Sequence, residues 1–163
     1  MHEKLTVEKN VLEKAGDDFE YLGIILDKYN ALWKSEPQKF AENFNDNQIT
    51  LFFYGILYNE VQNGGFLQLI FNGYAPYIFS KEMVGELKKW GCTQTAELIA
   101  SITPVALQVA NEADKTSLES LSNSYAKYPE FEDYDNAFGE NDGGLNEVKK
   151  YVSANLSDFI TVK

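Results

Sequence analysis

Residues 46–72 read DNQITLFFYGILYNEVQNGGFLQLIFN. Ile49, Phe52, Phe53, Ile56, Leu57 and Val61 recur at helical spacing and predict a helix with a wide apolar stripe. Asp46-Asn47 supplies its cap. So broad a stripe marks the central and most buried helix of the fold. The helix should stop at Asn63-Gly64-Gly65, where left-handed backbone costs little. A second short helix, Phe66 to Asn72, should follow at once.

On the N-terminal side, Phe19, Leu22, Leu26, Tyr29 and Trp33 alternate three- and four-residue steps behind Asp17, which serves as N-cap. Residues 1–16 form an extension, with Leu5 to Ala15 read as a short helix ended by Gly16. Pro37 starts a helix of one or two turns carrying Phe40 and Phe44. On the C-terminal side, Gly73 to Tyr77 is a turn, and Ser80 caps a helix that reaches Trp90 and ends at Gly91. Another helix begins near Thr93, and Pro104 either kinks it or separates two helices. Thr116-Ser-Leu-Glu119 matches a capping box and opens a helix to about Tyr125. Leu145 to Asn155 is a further helix, and Phe159 to Val162 is a short strand or coil. The fold class is mainly α: one compact multi-helix domain over 1–163, with short loops and at most a minor strand near the C-terminus.

Composition narrows the function. The chain has 163 residues with 44% apolar content, including 11 Phe, 10 Tyr and 2 Trp, too aromatic for a disordered acidic protein. Its net charge is −11, and all 14 basic residues are Lys. Arg provides the planar fork that grips phosphate, so its absence, with the acidity, argues against direct nucleic-acid binding. Acidity also disfavours anionic membranes. Cys92 is the only cysteine and His2 the only histidine, which removes disulfides, thiolate clusters, zinc sites and His-dependent nucleophilic catalysis from consideration. No apolar signal core or membrane-length run occurs, so a cytoplasmic location is expected. No cofactor, no metal and no enzymatic activity are expected. Glu60 and Glu97, near apolar faces, are the remaining candidates for carboxylate chemistry, against the plainer reading that each accepts hydrogen bonds from a helix end or amide.

The charge is concentrated. Residues 111–147 hold 10 acids against 2 lysines, a net −8 of the total −11. Asp133-Tyr-Asp135 resembles the start of a calcium loop, but Ala137, Phe138 and Gly144 stand where that loop needs an oxygen ligand, a glycine and a glutamate. Two readings then compete: a solvated face that aids solubility, or a docking surface for a basic protein. Helical carboxylates three or four residues apart are about 5–6 Å from one another, a spacing comparable to that of phosphates along one DNA strand. The docking residues are Glu130, Glu132, Asp133, Asp135, Glu140 and Asp142. Asp135 has a second reading, as a cap for a short helix ahead of Phe138.

Glu60, Asn63, Gly64, Gly65, Phe66, Gln68, Phe71 and Asn72 together resemble the signature of a bacterial domain-of-unknown-function family that includes a DNA-mimic protein. Gly91 with Ala96, Asp135 with Phe138, and Tyr151 with Phe159 are similar to later blocks, so the resemblance spans about 45–160. The chain departs from the family pattern at Leu69 and Ile70, where aromatic residues are common, and at Tyr134, where a Leu is common. All three swaps stay apolar. Physically the signature is structural: the glycines let two helices meet sharply, Phe66 and Phe71 enter the core, and Glu60, Asn63, Gln68 and Asn72 satisfy backbone groups at the junction. The alternative is a small-ligand or enzymatic pocket on Glu60, Asn63 and Gln68. The resemblance implies an acidic protein-binding module, a DNA mimic that docks and regulates a basic DNA-binding protein. It also admits a homodimer, which nothing in the periodicity demonstrates.

Overall fold

The computed structural model describes residues 5–112 and 118–163, the side chains of 118 and 119 excepted. The capping box at Thr116-Glu119 lies outside the described residues. Helices dominate, and the described residues fall into two compact units, 5–55 with 145–163 and 56–144.

The first unit contains β1 (Leu5–Val7), α1 (Lys9–Glu13), α2 (Asp18–Ser35), α3 (Pro37–Asn43), the start of α4 (Asp46–Phe71), α10 (Leu145–Ala154), α11 (Leu156–Phe159) and β2 (Ile160–Val162). Asp17 caps α2 by accepting from the Glu20 amide at 2.8 Å. The buried stripe of α2 is Leu22, Ile25, Tyr29 and Leu32, whereas Phe19 and Trp33 are 50% and 44% exposed. The helix is therefore rotated by part of a turn from the expected face, since both rows are apolar and packing chose between them. Trp33 still covers Phe40, with ring centroids 5.3 Å apart.

The cap of α4 is Asn45, not Asp46-Asn47. Its Oδ1 accepts from the Gln48 amide at 2.8 Å while Gln48 Oε1 accepts from the Asn45 amide at 3.0 Å, a reciprocal capping box. Gln48, wholly buried, also donates to the Phe159 carbonyl. That carbonyl takes a second bond, at 2.8 Å, from Tyr29, and burial drives the Tyr29 phenol upward so that it stays a donor. The chain end so pinned forms β2, which pairs in parallel with β1 in the register Leu5 to Ile160 and Val7 to Val162. The strand near the C-terminus thus has a partner where helix was expected from Leu5; only Lys9–Glu13 is helical.

The second unit holds the rest of α4, α5 (Ala75–Ile78), α6 (Lys81–Lys89), α7 (Thr93–Glu112), α8 (Leu118–Lys127), α9 (Glu130–Glu140) and a 3-10 turn, Asp142–Gly144. Residues 75–77, expected as plain turn, belong to one helical turn, Ala75–Ile78, with Pro76 near its start. Ser80 Oγ caps α6 by accepting from the Met83 amide at 3.1 Å. Its other end is a left-handed Gly91, whose amide reaches the Lys88 carbonyl while that of Cys92 reaches Leu87. Pro104 does not divide α7, which runs through it as one helix. Thr103 Oγ1 donates to the Ile99 carbonyl one turn back. Phe66, Phe131 and Phe138 are fully buried here, and Phe66 meets Phe138 edge to face at 5.7 Å. Among the described residues no helix is long and apolar enough to cross a membrane.

Candidate functional site

The second unit is organised by the interruption of α4 at Gly64 and Gly65. Gly65 takes φ 78° and ψ −179°, a conformation that is essentially glycine's alone. The break exposes backbone groups that a continuous helix would satisfy internally. Two side chains from later in the sequence meet them. Asp135 Oδ1, on α9, accepts from the Phe66 amide at 2.8 Å, and Tyr125, on α8, donates its hydroxyl to the Gly64 carbonyl at 2.5 Å. Burial pushes the Asp135 carboxyl above its usual range, against the pull of the Phe66 N–H, and the nearby Glu132 charge adds to the rise.

Three polar residues of the signature bond to one another, and Glu60 accepts from amides, as its plainer reading held. Glu60 Oε2 accepts from Gln68 Nε2 at 3.0 Å and from Asn72 Nδ2 at 2.7 Å. They brace one another across the bend rather than capping its backbone. Asn63 is exposed on the helix end, and Phe71 is only half-buried where full burial was expected. Glu97 lies exposed on α7 and not against an apolar face.

The acidic residues gather on α9 and its exit. The inner side of this helix carries Phe131 and Phe138, buried, with Tyr134 and Asp135 half-buried. Glu132, Asp133, Asn136 and Glu140 face water, and Glu130 is half-buried. Asp133 and Glu140 are seven residues apart, two turns or about 10 Å along one face. Asp135 points the other way, into the break, so the structure separates it from the row in which the sequence placed it. Asp142 is exposed, left-handed with φ 51°, and held by a 2.8 Å bond from the Tyr58 hydroxyl. The following Gly143 leaves no room for a side chain against the Phe138 ring.

Among the described residues no lysine lies within ion-pair distance of Glu130, Glu132, Asp133, Glu140 or Asp142. Of the nearest lysines in sequence, Lys149 is 4.0 Å from Asp18 and Lys127 is 3.0 Å from Glu112. Glu112 also accepts from Tyr128 and Gln108, and these bonds with Lys127 hold its carboxyl down at about 2. Ser120, Asn123 and Ser124 line a shallow open groove beside that cluster. The helix macrodipole accounts for Glu130, Glu132 and Asp133 in the first turn of α9. It does not account for Glu140, an acid in the last turn with no base beside it.

Asp135 and Tyr125 as keepers of the break were not legible in the sequence. Their partners are backbone atoms 69 and 61 residues away, and backbone atoms carry no sequence signal. The one available hint was the resemblance, which paired Asp135 with Phe138.

The fold and site define a helical acidic module built around a Glu-x-x-Asn-Gly-Gly-Phe break. The chain belongs to the DMP19-like protein family, whose model matches residues 42–155. It is 31% identical over 123 residues to the DNA mimic protein DMP19 of Neisseria meningitidis serogroup B, covering 71% of this chain and 72% of that protein.

Proposed function

We propose that the protein is a non-catalytic DNA mimic whose outward α9 face, Glu130, Glu132, Asp133 and Glu140 with Asp142, docks a basic DNA-binding protein and regulates it by occupying its DNA site. The observation that carries this reading is a set of carboxylates on one helix and its exit, exposed but for the half-buried Glu130, with no lysine paired to them among the described residues. Their fields add, and an exposed anionic row steers and orients a cationic partner. An acid at the unfavourable end of α9 suits a surface shaped by binding better than one shaped by helix stability alone. The name of the Neisseria relative supports the same reading. A cytoplasmic location follows from it, because DNA-binding regulators work there.

The test is capture on the immobilised protein, followed by elution with duplex DNA. DNA-binding proteins of basic character should be retained at about 50 mM salt, lost at about 500 mM, and released by DNA. Retention indifferent to both salt and DNA would refute mimicry. Sedimentation of the same sample, at 18.5 kDa or twice that, reads whether the docking species is a monomer or a homodimer.

A further inference from the structure

We propose that Asp135 is a positioning residue: its hydrogen bond to the Phe66 amide seats α9 on the Gly64–Gly65 break, and its charge is not part of what a partner reads. The second half of this statement rests on α9 being the docking face; the first does not.

Asp135 lies in the middle of α9, half-buried, on the side that carries Phe131 and Phe138. Its carboxylate packs so closely on Gly65 that a side chain there would overlap it. The amide it engages belongs to the first residue after the break, which has no acceptor within its own helix. A carboxylate on such an amide forms a charge-assisted bond, yet only one oxygen is needed, and a neutral amide side chain offers it equally. Glu132, three residues earlier, neighbours it on the same helix but is exposed to water. The groups that face Asp135 are Glu132 on its own helix and Tyr125 on α8. Tyr125 holds Gly64, so the two residues flanking Gly65 are tied to consecutive helices of the C-terminal half. Through this tie the signature of the N-terminal half sets where the acidic helix sits.

The test uses amide hydrogen exchange on the full chain, comparing the parent with D135A and D135N. In D135A the Phe66 amide and those of 131–140 should exchange about tenfold faster, the loss expected for one buried amide bond. Amides of α6 and α7 should keep their parent rates. D135N should match the parent throughout. Unchanged α9 protection in D135A, or an α9 opened in D135N, would overturn the positioning role. Should D135A fail to fold, D135N alone decides it. In parallel, binding of polylysine is followed against salt. D135N should keep the parent's slope while E132Q lowers it; equal losses would overturn the claim that the Asp135 charge goes unread. A parent that does not bind polylysine even at low salt would sink the docking reading and leave the exchange result to judge the tie.

Discussion

Gly65 lies so close beneath the carboxylate of Asp135 that a methyl group on it would overlap Oδ2. The contact joins the best-marked motif of the N-terminal half to the acidic helix, and it makes glycine at 65 a requirement of both backbone and space. Gly65→Ala should therefore destabilise the protein by about 1–3 kcal/mol for the backbone alone, with the clash in addition. Gly64→Ala should cost less, because the atoms in its way belong to the flexible Gln68 side chain. Urea denaturation of the two variants checks the order.

The Phe159 carbonyl accepts from both Tyr29 and Gln48. Tyr29→Phe removes one of two donors and should cost about 1 kcal/mol. Gln48→Ala removes the second donor and half of the capping box with Asn45, so it should cost about 2 kcal/mol or more. Thermal melting of both, with the double variant, also shows whether the pair acts as a unit.

Glu112 and Asp135 should pull the acid limb of stability in opposite directions. The carboxyl of Glu112 is held at about 2, below its ordinary value of 4.5. Its contribution is present above pH 4.5 and lost as pH falls towards 2. Asp135 is raised, so it binds its proton more tightly when folded. Its contribution is fullest below its unfolded value of 3.8 and fades as pH rises through the folded one. E112Q should flatten the acid loss of stability, whereas D135N should be at least as stable as the parent near pH 7. Denaturant midpoints measured from pH 2 to pH 7 give both signs.

Much of this architecture was readable along the chain. Asp17, Ser80 and Gly91 announce their helix ends because capping is local chemistry within three or four residues. The cap of α4 slipped by one residue because Asn45, Asp46 and Asn47 are all competent caps, and only the bond back from Gln48 singles out Asn45. The strand pair was not readable: three residues give no alternation to detect, and the partners stand at opposite ends of the chain. The acidic row was legible as charge but not as a surface. Glu132 and Asp135 look alike in sequence, and only the packing of Phe131 and Phe138 turns one outward and the other in.

Glu140 should show a conflict between stability and docking. It sits in the last turn of α9 without a base beside it. E140Q should gain a few tenths of a kcal/mol in stability by relieving the macrodipole while it weakens partner capture. A solubilising acid with no binding role would show the gain alone. Chemical denaturation and a pull-down on the same preparation separate the two.

The most direct measurement is the affinity of a captured DNA-binding partner for the parent and for the variant E132Q/D133N/E140Q, across a salt series and against duplex DNA. The expected result is a parent whose affinity falls steeply with salt and is competed by DNA. The variant should fold normally, bind about tenfold or more weakly, and show a shallower salt slope. A variant that binds with the parent's affinity and slope, or a partner that holds both duplex DNA and the parent at once, would contradict docking through the α9 carboxylates.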